Sequence, residues 1–198
     1  MAADPDMSCR LISKKELPKF AADFTTVYNK AWAGHGGLKQ LSVEQVMIMF
    51  KKMKPVIDER IIYFAYHKNE PVGIFLNLPD LNQYFKHLNG KFGLCQKLYF
   101  VWMQQFRPSK KFTGLVFGIV PEWQGKGVDA YLIGECQKIV QGPSKPYTAY
   151  EMQWIGDFNP KMINVASNFG DTFQSRNLAT YRYLFNREKE FTRHPILI

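Results

Sequence analysis

The sequence predicts a mixed α/β domain, on three observations. Segments whose apolar residues recur at three- and four-residue spacing alternate along the chain with β-branched and aromatic runs of strand length. Two of those runs are joined by a short polar turn, which makes a β-hairpin. A third run passes straight into a glycine-rich turn and then into an apolar-periodic helix.

Residues 16–32 place Leu17, Phe20, Phe24, Val27, Tyr28 and Ala31 on one helical face, and the run Gly34-His35-Gly36-Gly37 ends that helix in a mobile loop. Ser42 heads Val43-Glu44-Gln45, a Ser-x-x-Gln capping box, so a second helix is expected through Val46, Met47, Met49, Phe50 and Met53 up to Pro55. Its methionines suit core packing. Arg60 to His67 reads as a strand, Lys68-Asn69-Glu70 as a turn, and Pro71 to Leu78 as the returning strand, ended by Pro79. Two helical stretches broken at Asn89-Gly90-Lys91 occupy 81–106, where the aromatic residues from Tyr84 to Phe106 either line a pocket or fill a core.

The next strand covers 112–120 and feeds the glycine turn. The helix that follows carries Val128, Leu132, Cys136 and Ile139 on one face, Gly142-Pro143-Ser144 closes it, and 147–155 is again strand-like. Asn159-Pro160 starts a short helix, with Asn as the cap and Pro preset for the first helical position. Met162, Val165, Ala166 and Phe169 form its apolar face and Gly170 suits its C-terminal end. Alternating tyrosines predict a closing strand over 179–186.

At 198 residues the chain is expected to form one domain, 1–198, burying roughly 70% of its unfolded surface. Hydrophobic residues at 46% and aromatics at 15% exclude a disordered chain, and apolar runs such as Leu98 to Met103 are too short to span a bilayer. The N-terminal Met1-Ala-Ala-Asp-Pro-Asp has no secretory character, and Cys9, Cys95 and Cys136 show neither metal-ligand spacing nor an even-numbered framework. A soluble, cytoplasmic protein with no membrane partner is expected. No two of the histidines at 35, 67, 87 and 194 lie three or four residues apart, so no metal site is expected. A net charge of +9 favours anionic partners: coenzyme A, nucleic acid or an acidic acceptor. The charge is dispersed, however, and Lys51-Lys52-Lys54 and the basic group from Arg187 to Arg193 suit solvated faces better than a nucleic-acid footprint.

The most informative run is Gly118-Ile119-Val120-Pro121-Glu122-Trp123-Gln124-Gly125-Lys126-Gly127-Val128-Asp129-Ala130. Gly125 and Gly127 let the backbone bend and approach a ligand closely, while the first turn of the next helix supplies unpaired N–H donors and a positive dipole end. The run lacks the Lys-Ser/Thr ending of a P-loop and the third glycine of a dinucleotide fingerprint. It resembles instead the pyrophosphate-binding segment of the GNAT superfamily of acyl-CoA-dependent N-acyltransferases, whose pattern is Gln/Arg-x-x-Gly-x-Gly/Ala. Asp129 departs from that pattern and reads as a first-turn residue favoured by the helix dipole. Downstream, Asn159, Met162, Val165, Phe169 and Gly170 fall at the spacing of the family's Asn-x-x-Ala-x-x-Leu-Tyr-x-x-x-Gly helix. Gly127-Val128-Asp129 and Glu151-Met152-Gln153-Trp154 are also similar to segments in the C-terminal half of uncharacterised two-module GNAT-like proteins, so a second such module or a second copy stands open as a partner.

The resemblance implies a GNAT-like fold: a central, mostly antiparallel twisted sheet with one splayed parallel strand pair, flanked by helices. It implies acetyl-CoA or another acyl-CoA as co-substrate and an amine as acceptor. Ile119 and Val120 would pair with the pantetheine arm, and Gln124, Gly125, Lys126, Gly127, Val128 and Asp129 would meet the pyrophosphate, each anion–dipole contact being worth about 0.3–1 kcal/mol. Lys126 is either a phosphate contact or a solvated turn residue. Asn159 is a pantetheine contact, a helix cap, or both. A backbone amide at Val120 would hold the oxyanion. Glu151 is the candidate base, acting through water, unless it is a strand carboxylate paired with Lys or Arg. Ala166 stands where the family helix carries the tyrosine that protonates the leaving thiolate, so either a transferase without that acid or a silent acyl-CoA-binding module is expected.

Overall fold

Two strands buried on both faces need helices on both sides, and that requirement organises this chain. The computed structural model describes residues 4–33, 38–170, 172–192 and 196. The glycine loop expected at 34–37, with His35, and also Arg193 and His194, lie outside the described residues. Strands β2 (Ile62–His67) and β3 (Glu70–Pro79) are buried along nearly their whole length. The hairpin between them turns on Lys68 and Asn69, both at positive φ (49° and 71°), as a two-residue turn matched to strand twist requires.

Five strands form one sheet in the order β1-β2-β3-β4-β5, where β1 is Met7–Leu11, β4 is Lys111–Ile119 and β5 is Ala149–Met152. All neighbours pair antiparallel except β4 with β5, which are parallel. Strand β1 carries no readable alternation in its five residues and is fixed by pairing with β2.

Helices α1 (Leu17–Trp32) and α2 (Val43–Met53) cover one face. The Phe20 ring lies 5.0 Å from Phe64 of β2, and Phe24 meets Phe50 of α2 at 5.6 Å. The expected capping box is present: the Ser42 hydroxyl accepts from the Gln45 N–H at 3.3 Å, and the Ser42 N–H donates to the Gln45 side chain at 2.9 Å. Helices α3 (Asn82–Phe85) and α4 (Leu94–Phe106) enter between β3 and β4 with a small core of their own, built from Tyr84, Leu88, Phe100 and Met103. Helix α5 (Val128–Val140) covers the opposite face of the sheet, burying Val128, Leu132 and Cys136. Its approach depends on Gly73 of β3, where a Cβ would lie 3.1 Å from Val128 and 3.2 Å from Leu132. Burial, with a smaller contribution from Glu135, pushes the Cys9 thiol up to about 12, and burial pushes Cys136 up to about 11, so both are structural rather than reactive thiols.

The chain divides into two compact units, residues 1–34 with 38–153, and residues 154–198 with 35–37. In the second, α6 (Pro160–Ser167) is capped by Asn159, whose side chain accepts from the Met162 N–H at 3.1 Å, and Gly170 follows the helix at φ 84°. The strand expected over 179–186 does not form; the described residues of 172–192 contain no helix or strand. Tyr181 and Phe185 of that segment are both more than nine-tenths exposed, so its alternation has no surface to pack on.

The entry to β5 is anchored from across the fold. Asp58 accepts from the Tyr147 hydroxyl at 2.7 Å and from the Arg60 guanidinium at 2.6 Å. Burial opposes ionisation of Asp58, yet the hydrogen bonds from Arg60 and Tyr147 outweigh it and hold the carboxyl below its ordinary range. A depressed folded pKa contributes stability above the unfolded value that is lost as pH falls through the folded one. Tyr147→Phe is therefore expected to cost about 1 kcal/mol at neutral pH. Urea denaturation should show the gap between wild type and Asp58→Asn narrowing as pH falls below the ordinary carboxylate range.

Candidate functional site

Strands β4 and β5 pair over only four residues, Lys111 to Gly114 with Ala149 to Met152, and there they part. Beyond Gly114, β4 continues to Ile119 along β3 alone. The parting coincides with an irregularity: Asn77 faces Gly114 and Leu76 faces Val116, so Leu115 is left out of the β3–β4 ladder as a bulge. The Val120 N–H donates to the Val72 carbonyl at 3.0 Å. By the two-residue alternation of an antiparallel ladder, the backbone groups of Gly118 and Val116 also turn to β3, and those of Ile119 and Phe117 turn to the side that β5 leaves.

This corrects one expectation: the Val120 amide is committed to Val72 and cannot hold an oxyanion, while the backbone of Ile119 turns toward the split. Phe117, with the same backbone orientation as Ile119, and the bulged Leu115 were not singled out from sequence. Register decides both, and register is not written in one strand's residues.

At the far end of β4 the chain makes a 3₁₀ turn, Pro121–Trp123, and then the glycine turn. Gly125 and Gly127 sit at φ 70° and 79°, a region that penalises any Cβ. Gly127 is the N-cap of α5 and supplies no side-chain cap, so the first-turn N–H groups of Val128, Asp129 and Ala130 have no acceptor within the helix. The Gln124 side-chain amide donates to the Ile119 carbonyl at 3.2 Å and folds the turn over the strand end. Lys126 is exposed, with its ammonium 5.0 Å from the centre of the Trp123 ring. Val128 is fully buried, so only its backbone faces the turn. Asp129 lies in the first turn of α5, where an acid is favoured. Ile119, Val120 and Gln124 to Asp129 are thus brought together at one end of β4.

Glu151 lies at the other end, paired in register with Thr113, roughly 20 Å along the strand from Ile119. Its carboxylate forms an ion pair with Lys111, which also stands 3.9 Å from Asp80. Of its two readings, the paired strand carboxylate is the one observed. Next to it, Tyr150 stacks on Phe112 at 4.7 Å and meets the Phe75 ring edge-on at 5.9 Å. Its hydroxyl covers Gly114, where a Cβ would come within 2.3 Å of it. Burial raises the Tyr150 phenol, keeping it protonated at neutral pH. Sequence reasoning missed this tyrosine, because its place over Gly114 is set by the β4–β5 register. On the α1 side of the sheet, the Trp32 indole covers Gly118, where an added Cβ would collide with its ring.

Asn159 and Ala166 belong to the second unit, where the helix-cap role of Asn159 is the one described. Among the described residues, one group with metal-ligand chemistry comes together, Asp4, Asp6 and His67, but Asp6 already stands 3.4 Å from Lys68 on the surface.

No protein-family model matches the chain. A ceramide synthase of Caulobacter vibrioides is 26% identical over 165 residues, and the YghO protein of Escherichia coli K12 is 20% identical over 169 residues. These stretches cover 80% and 83% of this chain but 41% and 43% of the relatives, so the chain spans less than half the length of either. Among solved structures, an aminoglycoside acetyltransferase from an uncultured soil sample superposes with a TM-score of 0.59 at 12% identity, over 91% of this chain and 98% of that one. An aminoglycoside 6'-acetyltransferase bound to a CoA bisubstrate analogue gives 0.55 at 14% identity, over 90% and 98%. The chain therefore has the fold of the GNAT acetyltransferases, as expected: a mixed sheet with one parallel pair, flanked by helices.

Gly118→Ala is expected to destabilise the fold by about 1–3 kcal/mol through overpacking against Trp32. Thermal denaturation should show Trp32→Leu in the same chain restoring much of that loss, which an effect on strand propensity alone would not allow.

Proposed function

We propose that the chain is an N-acyltransferase that moves an acyl group from an acyl-CoA to an amine. The observation that carries this reading is the parting of β4 and β5 at the Leu115 bulge, on the same strand that ends in an uncapped, glycine-built helix N-terminus. One strand thereby offers an anion site and an open backbone edge in line with each other. The pyrophosphate would sit on the amides of Gly125 to Asp129, with Lys126 adding charge. The pantetheine arm would pair with Ile119 and Phe117 and run toward Gly114.

The thioester would then lie at the bulge, where the Leu115 amide, absent from the β3–β4 ladder, is the donor for its oxygen. The amine nitrogen bonds to the carbonyl carbon and the C–S bond breaks. The proton lost by the amine passes through water to Glu151, once Lys111 yields to it, and the departing thiolate takes a proton from the Tyr150 phenol. Tyr150 would so supply the acid that Ala166 cannot. The Caulobacter relative is named for making a ceramide, an N-acylated long-chain amino alcohol. That name supports an amphiphilic long-chain amine as acceptor and a long acyl chain over acetyl as donor.

Ala166 favours a second reading, a binding module without turnover. Both readings require that CoA stabilise the folded chain, by about 2.7 kcal/mol at a hundredfold excess over its dissociation constant. Gly127→Val should abolish the melting shift while leaving the far-ultraviolet circular dichroism intact. Turnover separates the two: thiol release from a series of acyl-CoA donors with long-chain amines is expected for the transferase. Tyr150→Phe should then lower kcat by about 10²-fold or more with CoA binding retained. Binding without thiol release across the series would leave the silent module.

A further inference from the structure

Helix α4 buries two large side chains and exposes the rest of its apolar residues. Phe100 and Met103 face the small core beside Tyr84, while Leu94, Leu98, Val101 and Phe106 are 74%, 65%, 61% and 67% exposed. At ~100° per residue, these four and the exposed Tyr99 and Trp102 fall within one arc of roughly 160°, in which Gln105 is the one amide or charged side chain. The half-exposed rings of Phe85 and Phe92, 6.3 Å apart, lie on the other side of the helix, against Phe100. The aromatic residues from Tyr84 to Phe106 were expected to line a pocket or fill a core; most of them do neither.

The α3–α4 segment itself carries charge of one sign, with Asp80 at its start. From Leu81 to Pro121 the sequence holds Lys86, Lys91, Lys97, Arg107, Lys110 and Lys111, and no Asp or Glu. Arg107 lies 5.5 Å over the Trp102 ring, so one cation is held against the patch itself, and Lys97, 5.9 Å over the Phe92 ring, borders it. Lys111 is turned to Glu151 and Asp80. A groove of ≈ 470 Å³ beside the helix is lined by Lys86, His87, Arg107 and Lys110, among other residues.

We propose that α4 docks in the plane of an anionic phospholipid membrane, with its apolar arc at the acyl boundary and its cations and basic groove on the phosphate layer. An apolar strip bordered by cations matches the layering of such a surface, and Trp and Tyr favour the headgroup level that Trp102 and Tyr99 would occupy. The helix, roughly 20 Å long, is too short to cross a bilayer, and among the described residues no helix is long and apolar enough to do so. The proposed contact is peripheral. It goes beyond acyl transfer and does not depend on it.

Flotation of the full chain with vesicles tests it. Wild type should float with vesicles of equimolar phosphatidylcholine and phosphatidylglycerol, be released by salt, and stay behind with phosphatidylcholine alone. Leu98→Glu with Trp102→Glu, both at exposed positions, should weaken partition at least ~10-fold with the melting temperature unchanged. Lys97→Glu and Arg107→Glu should each cost about fivefold or more. A polarity-sensitive dye on the exposed Cys95, with the half-buried Cys9 replaced by serine and Cys136 buried, should shift to the blue on anionic vesicles only. Gly127→Val should float as wild type does, so loss of CoA binding and loss of docking are read separately. No flotation, or flotation that Leu98→Glu with Trp102→Glu leaves unchanged, overturns the proposal. So does self-association broken by that same pair without vesicle binding, which would make the face an interface between copies.

Discussion

Everything at the candidate site depends on β4 keeping β3 on one side while losing β5 on the other. Two sets of anchors enforce that separation. On the β3 side the ladder resumes past the bulge and closes with the Val120 to Val72 hydrogen bond, and α5 is locked against Gly73 by Val128 and Leu132. On the β5 side, Asp58 holds Tyr147, the Lys111–Glu151 pair spans the two strands, and Tyr150 is wedged over Gly114 among Phe112 and Phe75. Both sides of the split rest on one continuous core, in which Tyr150 of β5 meets Phe75 of β3. A change that loosens either set is felt at the site without touching it.

The polar character of the site is mostly backbone. Only one cation stands in the glycine turn, Lys126, and it lies on Trp123. Strand edge and helix amides are fixed by the fold and cost no side-chain entropy to orient, whereas a flexible lysine loses rotamer freedom on ordering. A net charge of +9 can still raise the encounter rate with a polyanionic ligand through the long-range field, and that effect weakens with salt.

The legible parts of the sequence were those with a local physical cause. The Ser42 capping box, the Lys68-Asn69 turn, the Asn159-Pro160 helix start and the positive-φ glycines at 125 and 127 each follow from a few adjacent residues, and each is present. Strand β1 was unreadable because an edge strand of five residues takes its identity from its partner. The strand expected over 179–186 failed for the converse reason, since alternation without a partner edge gives no strand. At the site, the turn was visible while the Val120 orientation, the Leu115 bulge and the placing of Tyr150 over Gly114 were not. All three are set by register between strands, and Lys111, forty residues from Glu151 in sequence, becomes its partner only through the parallel pairing.

The placement of the α3–α4 insertion joins the two proposals. It leaves β3 after Pro79 and rejoins at Lys111, where the Asp80 N–H and the Ser109 hydroxyl both donate to the Lys111 carbonyl, at 2.9 and 2.8 Å. The proposed membrane seat is thus tied to the start of β4, and the glycine turn to its end. Gly114 lies three residues from the first, roughly 10 Å, and five residues from Ile119, roughly 17 Å. A water-borne acyl-CoA would enter from the turn and an amphiphilic amine from the membrane-facing end, and β4 would bring them to the same point.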